Sequence, residues 1–116
     1  PTLATPAGYQ RVMDGIKDRR ETAGATRPFL IEEFGLGTQG GENTSEERQR
    51  LIYHDVLKAA EDSKITGTLN WCLFEYAQPG VSDFERTFGI YKPDYTLKPA
   101  GLVLKAYYQK WAKQKR

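Results

Sequence analysis

Apolar and polar positions along this chain follow two periods in turn, and together they predict five elements. Tyr9, Val12, Met13 and Ile16 recur at helical spacing. Thr5-Pro6 stands before them, a capping side chain followed by Pro at the first helical position, and Gly24 suits the C-cap. This predicts an amphipathic helix over Pro6 to Thr22, with Arg11, Lys17, Asp18, Arg19, Arg20 and Glu21 on its solvent face. Phe29, Leu30 and Ile31, entered through Pro28, form a short apolar run of strand formers that reads as a strand buried on both faces. Apolar character stops at Glu32-Glu33, and Gly35 and Gly37 release the chain into the polar loop Thr38 to Asn43.

A capping box, Thr44 to Glu47, then opens a second helix over Ser45 to Asp62. Ile52, Val56, Ala59 and Ala60 mark its buried face, and Leu51 and Leu57 widen it. The second strand is Ile65 to Phe74, with Gly67 marking a close approach of backbone or packing partners. Glu75 to Thr96 reads as a long loop with turn signals at Pro79-Gly80, Gly89 and Pro93-Asp94. Lys98-Pro99 opens the last helix, where Leu104, Tyr107, Tyr108 and Trp111 form a stripe expected in the core. Helix, strand, helix, strand, helix is an α/β order with parallel strands.

The chemistry concentrates where the first strand ends. Two carboxylates at the C-terminal tip of a buried parallel strand are costly for folding, and in parallel α/β folds that tip is where active sites are built. Regular alternation would put Glu33 on the face of Ile31 and Phe29, and Glu32 on that of Leu30 and Phe34, so that one of them enters a cleft. From spacing alone the alternative stands beside this: both acids are solvated loop carboxylates or partners for nearby arginines.

Composition narrows the field. The 116 residues form one predicted domain, under half of a usual (β/α)8 barrel. A net charge of +2 is too weak to argue for nucleic acid, and the basic end from Lys110 to Arg116 suits a helix C-terminus. Cys72 is the only cysteine, which excludes an internal disulfide and a thiolate metal site. The single histidine, His54, falls inside a helix without carboxylates at metal spacing and reads as a surface or boundary residue. There is no signal peptide and no long apolar span, so no membrane partner is expected. Pro1 is not an initiator and fits a processed, cleaved or truncated start. The glycine-rich run Gly35 to Gly41 lacks the Lys-Ser/Thr of a phosphate loop, and no cofactor motif is present.

The run Pro28 to Gly35, PFLIEEFG, resembles the seventh-strand motif of retaining glycoside hydrolases of clan A, especially family five. The Glu before the aromatic-Gly pair is the nucleophile there, and it falls on Glu33; the variant Glu32 to Leu36 is similar to that of endo-β-1,4-mannanases. Gly67 to Trp71 resembles the eighth strand of the same clan, which implies that Trp71 lines the sugar subsite beside the scissile bond. An indole offers apolar area to the C–H face of a pyranose; a core Trp between sheet and helix is the alternative. Phe88 to Asp94 with Thr96 to Ala100 is similar to the run-in to the last helix.

The resemblance implies that residues 1–116 are the C-terminal portion of a (β/α)8 TIM barrel, from its sixth to its eighth helix, incomplete without an upstream segment or companion chain. It implies a retaining hydrolase of a β-linked glycan, with β-mannan favoured and β-glucan next, and favours a secreted or periplasmic location. The family's acid/base comes from an Asn-Glu motif after the fourth strand, and this chain has no such pair, so it is not expected to be active alone. Glu75 is a substrate-binding candidate, and Asp83, Glu85 and Arg86 lie in the same loop as either ligands of substrate hydroxyls or solvated charges. A non-catalytic glycan-binding or assembly half-barrel is the rival reading.

Overall fold

A computed structural model describes residues 6–114. Thr5, expected to cap the first helix, and the last two basic residues lie outside them. The elements run α1 (Pro6–Ala23), β1 (Leu30–Ile31), α2 (Glu46–Asp62), β2 (Gly67–Thr68), α3 (Asp83–Arg86) and α4 (Pro99–Ala112). β1 and β2 pair in parallel, Leu30 opposite Gly67 and Ile31 opposite Thr68, with α2 as the crossover between them.

α2 organises the core because it is apolar on a wide face. Ile52, Tyr53, Val56, Leu57, Ala59 and Ala60 are all buried on it. Phe34, Ile90, Ala100 and Leu104 close over that face, with Val12, Tyr107 and Trp111 packed around them. α1 is tied to the far end of α2 by polar contacts: Tyr9 donates to Asp62, and Arg20 donates to the carbonyls of Ser63 and Lys64. Gly24 closes α1 through its N–H to the Arg20 carbonyl.

Five expectations are corrected. The α2 cap is Ser45, not Thr44: extended Ser45 accepts from the Arg48 N–H. Counting from Ser45, the third helical position is Arg48, so no Glu stands where a capping box needs one. Glu47 instead forms a two-point pair with Arg50, and the Thr44 hydroxyl donates to the Gly41 carbonyl. Both strands are shorter than predicted, and β1 is not buried on both faces, since Leu30 is 45% exposed. Each strand has one partner, so among the described residues the outer edges and one sheet face stay uncovered. The long loop contains α3, capped by Ser82. In α4, Leu104 is buried but Tyr108 reaches the surface, its hydroxyl donating to the Thr68 carbonyl.

Candidate functional site

The tails of β1 and β2 leave the sheet side by side and are bound to each other. The ladder continues past both strands: Leu69 N–H donates to Ile31 O at 2.9 Å, and Trp71 N–H to Phe34 O at 2.8 Å. Between these bonds the first tail advances three residues and the second two, so the first carries one extra residue, as in a bulge. That extra residue falls at Glu32-Glu33. The regular alternation expected to send these acids to opposite faces is therefore interrupted at that step.

Two features hold the tails there. Phe34 is buried, its ring 4.9 Å from that of Tyr53, which anchors the segment immediately after Glu33 into the core. Gly35 is required by contact: a Cβ there would lie 2.1 Å from the Trp71 carbonyl oxygen. The close approach expected at Gly67 is found at Gly35 instead, because a Cβ on Gly67 meets only Leu30 Cδ1, at 3.4 Å. Asn70 braces the second tail, donating to Tyr53 Oη and to the Cys72 carbonyl, each at 3.2 Å. Burial pushes the Tyr53 hydroxyl well above its ordinary range, partly offset by the Asn70 bond, and burial likewise raises the Cys72 thiol. The Trp71–Cys72 peptide is cis.

Glu32 and Glu33 are both exposed. Among the described residues neither has a hydrogen-bond or ion-pair partner, so of the two alternatives the solvated one fits them and the arginine-paired one does not. They line a groove of about 450 Å³ between α1 and β1, together with Arg11, Arg19, Phe29 and Leu30. Trp71 is 44% exposed, so among the described residues its indole is not enclosed between sheet and helix. A larger groove, about 660 Å³, lies between the end of α2, β2 and α4; Lys64, Tyr108 and Trp111 line it, and it includes none of Glu33, Trp71 or Glu75.

Glu75 is not a free loop carboxylate. It pairs with Lys98, whose side chain is fully buried. Asp83 and Arg86 pair with each other across α3, whereas Glu85 is exposed. The glycine-rich loop after β1 is explained by α3: a Cβ on Gly37 would lie 2.2 Å from the Phe84 carbonyl oxygen. Its glycines admit a neighbouring backbone rather than a phosphate. His54 is half exposed beside Asp55, as expected of a boundary residue. Among the described residues no group of three or more His, Cys, Asp or Glu is arranged to hold a metal ion.

Sequence reasoning missed Lys98, Gln49 and Thr87, which join the loops beneath the site. A signal was present in the first two: Lys98 stands directly before a helix-opening Pro, and Gln49 lies three residues before Ile52, on the buried face of α2.

No family model matches the chain, and no curated protein matches it. Solved structures do. The chain is similar to a GH5_18 protein from Streptomyces cattleya in complex with GlcNAc, with TM-score 0.75 and 19% identity over 98% of this chain and 27% of that one. It is similar to a β-glucuronidase of an uncultured Clostridium species, TM-score 0.66 and 21% identity, covering 91% of this chain and 19% of that one. A mutant Rhizomucor miehei β-1,3-glucanosyltransferase in complex with laminaritriose gives TM-score 0.60 and 25% identity over 76% of this chain and 35% of that one. The chain thus spans about a fifth to a third of the length of these proteins. Its fold is a helix-rich α/β unit consistent with a portion of the (β/α)8 barrel that such glycosidases carry.

Proposed function

We propose that residues 1–116 form the sixth-helix to eighth-helix portion of a retaining β-glycoside hydrolase barrel, with Glu33 as nucleophile. The observation that carries this reading is the junction of the two strand tails. The Trp71 N–H on the Phe34 carbonyl and the Gly35 contact with Trp71 O bring an exposed carboxylate segment and a half-exposed indole to one end of the sheet. Glycosyl transfer needs groups of both kinds: the indole takes the apolar face of the ring and the carboxylate takes the anomeric carbon.

In this mechanism a Glu33 oxygen attacks the anomeric carbon as the bond to the leaving oxygen breaks. A second carboxylic acid protonates that oxygen, then removes a proton from the water that releases the glycosyl-enzyme. The second group would lie about 5–5.5 Å from Glu33. Within this chain Glu75 is engaged by the Lys98 ammonium instead of standing free as a proton donor. The acid/base therefore belongs to the rest of the barrel, outside residues 1–116. The glycan is a β-linked polysaccharide or oligosaccharide; β-mannan is favoured by the Glu32 to Leu36 variant, with β-glucan next.

The test is made in the complete protein. Glu33→Ala should abolish turnover of β-mannan or β-glucan, and azide should restore it with an inverted glycosyl azide as product. If Glu32→Ala behaves this way and Glu33→Ala does not, the assignment of the nucleophile fails.

A further inference from the structure

Lys98 sits where a lysine has most against it. It is the N-cap residue of α4, makes no capping bond with its side chain, and that side chain is fully buried. A cation there opposes the helix dipole, and its desolvation is unfavourable unless every donor is met. The ammonium has three donors and meets three acceptors: Thr38 Oγ1 at 3.2 Å, the Thr87 carbonyl at 2.9 Å and Glu75 Oε1. These come from the loop after β1, the turn after α3 and the loop after β2.

Two of the three contacts are duplicated. Gln49, fully buried on α2, donates to the carbonyls of Leu36 at 2.9 Å and Phe88 at 3.0 Å. Thr38 N–H also donates directly to Thr87 Oγ1 at 2.9 Å. The loop after β1 is thus held to the turn after α3 without Lys98. What Lys98 alone contributes is the grip on the carboxylate of Glu75, four residues beyond Trp71; the Glu75 backbone is held separately, its N–H donating to Tyr91 O at 2.9 Å. Glu75 Oε1 is taken, while Oε2 has no hydrogen-bond partner among the described residues and the side chain keeps 14% of its exposure.

We infer that Lys98 is a positioning residue that orients Glu75, so that Oε2 accepts a hydrogen bond from a sugar hydroxyl in the subsite beside Trp71. This rests on the glycosidase reading for its ligand, but the orientation of Glu75 can be tested without it. Three variants of the complete protein decide the matter: Glu75→Gln, Lys98→Met and the two combined. Glu75→Gln keeps an oxygen for Lys98 and should raise KM about tenfold with kcat within about twofold, the pattern of a lost binding contact. Lys98→Met should raise KM to the same degree, and the combined variant no further.

Amide hydrogen exchange gives the readout that does not need activity. In Lys98→Met the amides of Glu75 and Tyr76, which donate to Tyr91 O and Arg86 O, should exchange at least about tenfold faster, with those of Gln49 to Ala60 on α2 unchanged. Faster exchange throughout α2, unchanged exchange at Glu75 and Tyr76, or KM losses that add in the combined variant would overturn the inference. If Lys98→Met does not fold, the charge-neutral combined variant takes its place, and if neither folds Lys98 serves the core alone and the inference falls. A wild-type protein without glycosidase activity would instead count against the proposed function, and the exchange result would still decide whether Lys98 positions Glu75.

Discussion

At the scale of single residues, the site depends on a division of labour between adjacent side chains. Phe34 is buried against Tyr53 while Glu33, its neighbour, is exposed. The anchor and the proposed nucleophile are thus adjacent residues joined by one peptide bond, and the anchor limits how far the carboxylate can wander. Trp71 is divided within itself: its backbone is clamped to Phe34 and Gly35, but its indole is 44% exposed. Trp71→Ala should accordingly cost catalysis far more than folding. The expectation is a fall in kcat/KM of at least about tenfold with a melting temperature close to wild type, read by steady-state kinetics and calorimetry on one preparation. A large loss of melting temperature with unchanged kcat/KM of the folded fraction would return Trp71 to a packing role.

At the scale of elements, α4 is docked to α2 partly through Glu61. Its carboxylate accepts from Lys110 Nζ at 2.8 Å and Trp111 Nε1 at 3.0 Å. Those two bonds, the Lys110 one first, hold Glu61 below its ordinary value of 4.5. A group whose folded value is depressed stabilises the fold at pH above its unfolded value and loses that contribution as pH falls through the folded one. Stability should therefore be flat in this respect above about pH 5 and decline below the ordinary carboxylate range. Glu61→Gln should shrink the decline, which urea unfolding at pH 6 and pH 3.5 would register. An unchanged difference between the two pH values would exclude this coupling of α4 to α2.

The same scale explains what could be read in advance. Helical periodicity repeats over many residues, so α1, α2 and α4 were legible from Val12, Ile52 or Leu104 and their neighbours. The cap of α2 was misplaced by one residue because Thr44 and Ser45 are chemically equivalent caps, and only the extended backbone of Ser45 decides between them. α3 has four residues, too few for a periodic signal. Leu30 read as a buried strand position, and its exposure, like that of Leu69, depends on what covers the sheet, which their own identities do not encode. Glu33 and Trp71 were found as strand-end residues. The extra residue between Ile31 and Phe34 was not, since a bulge is set by the partner strand's bonds. Lys98 was read only as the residue before Pro99, because its three acceptors lie 11, 23 and 60 residues away in sequence.

At the scale of the whole molecule, a two-stranded parallel sheet with unpaired outer edges is a poor free-standing core. A closed barrel would cover the exposed Leu30, Leu69 and Leu73 and bring a second carboxylic acid to Glu33. Residues 1–116 expressed alone should therefore hydrolyse neither β-mannan nor β-glucan; sedimentation, circular dichroism and a reducing-sugar assay on one sample check this. An active, cooperatively folded monomer of this chain would refute the need for a companion segment. The most direct measurement of the central claim is covalent trapping in the complete protein. A 2-deoxy-2-fluoro β-glycoside with a good leaving group, of the manno or gluco series, would form a long-lived glycosyl-enzyme. Digestion and tandem mass spectrometry should then find the fluorosugar ester on Glu33, and a label on Glu32, Glu75 or any other carboxylate would contradict the account.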